Sequence, residues 1–123
     1  MADSASIKLQ FYERLQSGQN MEIYKSFLQP DETVFMEFKA TRDILVITNK
    51  KVIAITIGLT KTMEILVLPY TKITAFAVET AGTFDLGAEF KIWTSAIGKV
   101  EFKFVRGIVD VKEIIAYLSM RIG

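Results

Sequence analysis

The feature that most constrains this chain is a long central stretch in which apolar and polar residues alternate. Between Thr33 and Arg106 the hydrophobic period is two and β-branched residues dominate, which is typical of β-strands. Short turn segments divide the stretch into seven predicted strands, at 33–40, 43–49, 51–57, 62–68, 72–80, 88–94 and 99–106. Because connections this short join antiparallel neighbours, the sequence predicts an antiparallel meander.

Helical periodicity precedes the strands. Ile7, Phe11 and Leu15 recur every four residues, which predicts a first helix. A second short helix is predicted over 23–28, because Pro30 disfavours helical geometry at the residue before it. We therefore predict an N-terminal helical arm over 1–30, followed by one domain over 31–123.

A longer helix is predicted after the last strand. Its apolar stripe, spaced i, i+3, i+4 and i+7, consists of Val111, Ile114, Ile115 and Leu118. Asp110 is a good N-cap, and Glu113 is placed three residues later, where it can complete a capping box. This helix is expected to close one end of the sheet or cover one of its faces.

The last two strands predict their own register. Pairing apolar with apolar residues places Phe90 opposite Phe102 and Ile92 opposite Val100. The polar face then carries three pairs: Glu89 with Lys103, Lys91 with Glu101, and Trp93 with Lys99. The two opposite-charge pairs are each expected to contribute about 0.2–1 kcal/mol.

Trp93 lies on the polar face of this predicted hairpin, and an outward indole needs an explanation. One interpretation is that Trp93 covers the neighbouring turn or packs under the N-terminal arm. The other is that it lies in an interface with a subunit or partner, where Trp is enriched. The sequence leaves both open.

Three predicted strands are apolar on both faces, at 44–47, 52–55 and 65–68, so each needs two covers. One cover is the core, and the other is either the N-terminal arm or another subunit. Since 50% of the residues are hydrophobic, we favour a homo-oligomer; the alternative is a monomer covered by its own arm. The candidate interface residues are Trp93, Phe11, Leu15 and Phe27.

Composition excludes several classes of function. The chain has no Cys and no His, which excludes disulfides, thiolate or imidazole metal sites, cysteine nucleophiles and the Ser-His-Asp triad. A net charge of +1 argues against a nucleic-acid partner. The carboxylates at Glu37, Asp43 and Glu64 form no converging pair, so we expect no enzyme, no metal and no cofactor. Without an apolar leader or a membrane-length apolar run, the expected location is cytoplasmic.

Three segments carry a family resemblance: Thr41–Lys50, Leu68–Ile73 and Glu79–Leu86. Together they resemble the bacterial pleckstrin-homology-like family over roughly residues 31–120, outside the first 30. The resemblance implies a split, partly orthogonal antiparallel β-barrel of seven strands, closed at one end by the C-terminal helix. It also implies cytoplasmic proteins that assemble as homo-oligomeric rings without established enzymatic activity.

Four residues of these segments are expected to have structural roles. Gly82 is expected in a backbone conformation closed to other residues, and Asp85 is expected to cap nearby amides. Pro69 fixes the entry to Tyr70, whose ring can pack while its hydroxyl finds a partner.

Four cations form a candidate site for anionic lipid head groups at the open end of the barrel: Lys39, Arg42, Lys61 and Lys99. The alternative is that they are ordinary solvated turn residues. The sequence thus favours a non-catalytic module that self-assembles and recognises a protein or peptide. An exposed edge strand offers one mechanism, because its unpaired amides and carbonyls can accept another strand. Peripheral attachment to anionic membranes is the second hypothesis.

Overall fold

Two β-sheets enclose the main core in the computed structural model, which describes residues 7–79, 87–105 and 107–122. The strands are β1 (Ile7–Phe11), β2 (Glu13–Leu15), β3 (Val34–Lys39), β4 (Asp43–Thr48), β5 (Lys51–Ile57), β6 (Met63–Pro69), β7 (Ile73–Glu79), β8 (Gly87–Thr94) and β9 (Gly98–Val105). The helices are α1 (Met21–Tyr24) and α2 (Val111–Ile122), with 3-10 turns at Lys25–Phe27 and Tyr70–Lys72.

One sheet has the order β1-β9-β8-β7 and the other the order β2-β3-β4-β5-β6. The seven predicted strands correspond to β3–β9, and their hairpins are antiparallel as expected. Two features correct the prediction of a seven-stranded antiparallel barrel. The sheets carry the further strands β1 and β2, with β1 parallel to β9, and they remain separate.

The predicted helix over the first 15 residues is wrong for the part that the structure describes. Residues 7–11 and 13–15 are strands. The apolar residues that recur every four positions also satisfy a period of two, because Leu9 lies between Ile7 and Phe11. Hydrogen bonding to β9 and β3 decides between the two periods. The second predicted helix is present as α1 and the 3-10 turn that follows it.

The main core lies between the sheets. Its largest fully buried side chains include Phe11, Phe38, Phe90, Phe102 and Phe104. The β8–β9 hairpin has the predicted register in all five pairs, and burial in β8 alternates with a period of two. Helix α2 adds Ile114 and Leu118 to the core. Ile115, which the sequence placed in the buried stripe, is instead partly exposed.

A second apolar cluster covers the outer face of the five-stranded sheet. Tyr24 packs there against the outward residues of β4 and β5, which are Ile44, Val46, Ile53 and Ile55. Met21, Phe27 and other residues of the segment before β3 complete the cover. The doubly apolar strands β4 and β5 are therefore covered twice within one chain. The third such strand, β6, is not, since Met63 and Val67 are exposed by 48% and 39%.

Candidate functional site

Three of the four predicted lipid-binding cations lie at one end of the five-stranded sheet. Lys39 ends β3, Arg42 lies in the β3–β4 turn, and Lys61 lies in the β5–β6 turn with a left-handed φ of 67°. The two turns are adjacent, because the Ile57 amide donates to the Arg42 carbonyl at 2.8 Å. Lys99 belongs to the other sheet, where its ammonium is 3.9 Å from Glu101.

A groove of about 360 Å³ separates β1 from the β3–β4 turn. Its lining includes the cations Lys8 and Arg42 and the ring of Tyr12, which is 54% exposed. The one carboxylate in this lining, Asp43, accepts a hydrogen bond from the Thr56 hydroxyl at 2.7 Å. Sequence reasoning missed Lys8 and Tyr12, because it placed them on a helix; the alternation of Lys8 with apolar neighbours was the available signal.

A smaller cavity of about 110 Å³ lies farther along β1. It is lined by Ile7, Leu9, Ala54, Thr56, Glu64 and Leu66. Leu9 lines both cavities, so together they follow β1 along the opening between the two sheets. The opening combines a cationic end with an apolar stretch.

The outer edge of β6 is a separate apolar surface. In the β5–β6 register, Met63, Ile65 and Val67 lie opposite Ile57, Ile55 and Ile53. They therefore belong to the outer face of the sheet, which α1 covers at β4 and β5. Leu59, in the adjoining turn, is 81% exposed. We call this strip of Met63, Ile65 and Val67 the β6 edge.

The candidate interface residues occupy different environments. Phe11 and Leu15 are buried in the protein itself, and Phe27 packs against the outer cluster. These three side chains are therefore used within the chain, because residues 7–28 fold onto both faces of the sheet. Trp93 is half-buried in β8, opposite Lys99 on one side and Ala75 on the other.

The residues expected to be structural lie mostly at the ends of elements. Pro69 ends β6, and the buried Tyr70 donates its hydroxyl to the Thr48 carbonyl; burial raises the pKa of Tyr70 above its ordinary value. Asp110 caps α2, since its Oδ1 accepts from the Lys112 amide at 3.0 Å. Glu113 pairs with Arg14 at 3.4 Å. Gly82 and Asp85 lie outside the described residues.

Sequence reasoning missed the structural role of Glu37, which is fully buried in β3. Its carboxylate accepts hydrogen bonds from the amides of Gly18 and Asn20, the Asn20 side chain and the Tyr24 hydroxyl, at 2.6–3.0 Å. Burial raises the pKa of Tyr24 above its ordinary value, and the hydrogen bond to Glu37 and the Glu37 charge add to this. These four bonds fasten the segment before β3 to the outer face of the sheet.

A second buried carboxylate, Glu32, receives the Lys51 ammonium at 2.7 Å, the Gln29 amide at 3.0 Å and the Thr48 hydroxyl. Burial by itself raises the pKa of Glu32, but these hydrogen bonds and the Lys51 charge together hold it below its ordinary value. The neighbouring Lys50 pairs with Asp31 at 3.0 Å. Lys50, in the β4–β5 turn, and Lys51, at the start of β5, are thus both engaged within the chain.

Family comparison agrees with this architecture. The model of the bacterial PH (pleckstrin-homology) domain matches residues 6–122. The chain belongs to the bacterial PH domain family. The match includes β1, β2 and α1, so the family extends further towards the N-terminus than the resemblance over residues 31–120 indicated.

Relatives of this bacterial PH domain include the uncharacterized protein YjqA of Bacillus subtilis (strain 168), 41% identical over 96 residues that cover 72% of this chain and 76% of YjqA. A DUF1696 family protein with a pleckstrin-homology domain from Shewanella loihica PV-4 has a similar solved structure, with a TM-score of 0.77, 29% identity and coverage of 90% and 97% of the two chains. A pleckstrin-homology domain from Shewanella amazonensis SB2B matches with a TM-score of 0.66, 32% identity and coverage of 90% and 91%.

The described residues of this PH domain also bear on metal binding and on membrane insertion. Within them, no three His, Cys, Asp or Glu side chains come together as a metal site. The helices in the same part of the chain are too short or too polar to span a bilayer.

Proposed function

We propose that this PH domain is a non-catalytic, cytoplasmic binding and scaffold module that assembles with copies of itself and recognises a protein or peptide partner. The observation that carries the self-assembly is the exposed β6 edge. There, β6 pairs with β5 and with no other strand in the described part of the chain, and it presents Met63 and Val67 to solvent.

The β6 edge suits a second copy of the chain for two reasons. An edge strand offers unpaired amides and carbonyls, and natural proteins usually protect such edges with charged residues. From Met63 to Pro69, Glu64 is the one charged residue, and it belongs to the opposite face from the β6 edge. If two antiparallel β6 strands pair about Ile65, Met63 lies opposite Val67, so apolar residues meet on the face of the contact that carries the β6 edge.

The test is the mass of the purified chain in solution. Light scattering should give an oligomer for the wild type and a smaller species for Val67→Lys, because a lysine at this position adds a charge to the contact. Met120→Lys is the matched control, since Met120 is an exposed apolar residue on α2, away from the β6 edge. A monomeric wild type, or an unchanged mass for Val67→Lys, would overturn the self-assembly.

Peripheral binding to anionic lipid head groups is the second candidate, favoured by the adjacent turns that carry Arg42 and Lys61. The dependence of binding on salt concentration distinguishes the two functions. Lipid attachment through Lys39, Arg42, Lys61 and Lys99 should weaken as salt screens the charges, whereas an apolar assembly should persist. Binding to anionic vesicles that survives the double replacement Lys39→Ala and Arg42→Ala would exclude this site.

A further inference from the structure

We propose that the edge of β1 that faces away from β9 binds an extended acidic peptide segment of a partner protein, which adds to the four-stranded sheet as a further strand. The proposal rests on the proposed recognition of a protein or peptide partner. It assigns that recognition to a surface distinct from the β6 edge.

The first argument is the position of β1 in the sheet. β1 is an outer strand of the order β1-β9-β8-β7, paired with β9 from Ile7–Val100 to Phe11–Phe104. Among the described strands, the side of β1 away from β9 has no partner, so alternate residues of this five-residue strand direct their backbone donors and acceptors to that side. A peptide of similar length, about 17 Å when extended, can satisfy them by strand addition.

The second argument is the space beside this edge. The two cavities of about 360 Å³ and 110 Å³ both include Leu9 in their walls. Across from β1, the wall consists of the β3–β4 turn in the larger cavity and of β5 and β6 residues in the smaller one. Space therefore lies beside β1 at both cavities, next to the edge at which an added strand would pair.

The third argument is charge. The Lys8 side chain is 76% exposed and its ammonium is 3.8 Å from Glu101, whose side chain is 11% exposed, so water solvates the lysine end of this ion pair. Arg42 is exposed on the opposite wall, next to Asp43, whose carboxylate is hydrogen-bonded to Thr56. Two cations that face one groove favour carboxylates on the incoming strand.

The alternation of side chains along β1 defines which residues suit each position of the added peptide. Ile7 and Leu9 pack against the main core, whereas Lys8 belongs to the opposite face of the strand. A paired peptide therefore places one set of alternate side chains beside Lys8 and the other set against Leu9 and Leu66. Acidic residues suit the first set and apolar residues suit the second. Glu64, in the smaller cavity, disfavours acidic residues at that end.

The test is a titration of the isotope-labelled full chain with a hexapeptide of alternating Glu and Val, followed by amide chemical shifts. Shifts are expected at residues 7–12 and 40–43. Lys8→Glu and Arg42→Glu, both exposed and checked for folding by circular dichroism, should each weaken binding by roughly tenfold. Lys72→Glu is the matched control, because Lys72 is an exposed lysine outside both cavities.

Two control peptides test the mode of binding. The same hexapeptide with an N-methyl group on every residue should lose binding, because it has no main-chain N–H donor on either edge and its methyl groups block close approach of the two strands. A hexapeptide of alternating Lys and Val should bind more weakly. Equal binding by either control, or no shift with the Glu–Val peptide, would overturn the proposal.

Other outcomes separate this inference from the proposed function. Peptide-induced shifts confined to β6 or β7 would overturn the β1 site and leave peptide recognition standing. Binding of phosphatidylserine vesicles that requires Lys8 and Arg42, without peptide binding, would assign the groove to membranes and overturn the inference. Self-assembly is judged independently, by the mass of Val67→Lys.

Discussion

At the scale of single residues, two buried carboxylates show how context changes the role of a side chain. In the sequence, Glu37 and Glu32 resemble ordinary polar residues of a strand and a turn. In the structure, the Glu37 carboxylate accepts hydrogen bonds from neutral donors. The Glu32 carboxylate accepts from neutral donors and from the Lys51 ammonium. Each carboxylate connects residues far apart in the chain, and sequence spacing gives no signal for such partners.

Glu32 predicts a specific dependence of stability on pH. Because its pKa is lowered in the folded protein, its contribution is complete above the unfolded value of 4.5 and is lost as the pH falls through the folded pKa. At neutral pH we expect Glu32→Gln to lower the free energy of unfolding by about 1.5–3 kcal/mol, through loss of charged hydrogen bonds. Denaturant unfolding of both proteins across pH should show this difference shrinking below about pH 4.5.

Glu22→Gln is the control for this experiment. Glu22 also pairs with a lysine, Lys25 at 3.1 Å, but both side chains are largely exposed. We expect a change of no more than about 0.5 kcal/mol. A difference between wild type and Glu32→Gln that stays constant down to acidic pH would show that the Glu32 charge does not stabilise the fold.

At the scale of elements, the sequence was most informative where pairing is local. The β8–β9 register followed from matching apolar and charged residues across one short turn, and all five predicted pairs are present. Residues 7–11 were mistaken for a helix because their partner, β9, lies about ninety positions away in the chain. In α2, the buried side includes Ile114 and Leu118, while Ile115 is partly exposed, since the position of the sheet sets which side is covered.

Helix α2 depends on its first turn. Asp110→Ala removes the carboxylate that accepts the Lys112 amide, and we expect a loss of about 1 kcal/mol in the free energy of unfolding. Asp110→Ser is the matched control, because a serine hydroxyl can cap the same amide. Thermal and denaturant unfolding measure both variants; a serine variant as unstable as the alanine variant would contradict a capping role.

At the scale of the whole molecule, one segment covers two apolar surfaces. Phe11 from β1 lies in the main core, and Tyr24 from α1 lies in the outer cluster. Of the three doubly apolar strands that suggested an oligomer, β4 and β5 thus obtain their second cover within the chain. The β6 edge is where exposed apolar surface remains on these strands, and for that reason the proposed self-assembly is assigned to it.

Deletion of residues 1–28 tests this arrangement. The truncated chain loses β1 and uncovers Val46, Ile53 and their neighbours, so we expect it to lose cooperative unfolding and to aggregate. Near-ultraviolet circular dichroism during thermal unfolding provides the measurement. A truncated chain that melts cooperatively near the wild-type temperature would show that the segment is a detachable arm.

The sequence by itself determined the seven strands β3–β9, their antiparallel hairpins, the C-terminal helix with its Asp110 cap and the register of the last hairpin. These elements depend on residues close together in the chain, so hydrophobic periodicity and turn residues are enough to predict them. Only the tertiary structure decided that residues 7–15 are strands, that Glu37 is buried, and that Lys8 faces Arg42 across a groove. The reason is physical: edge pairing, burial and clefts arise between segments distant in the chain, and a local pattern does not encode which segments meet.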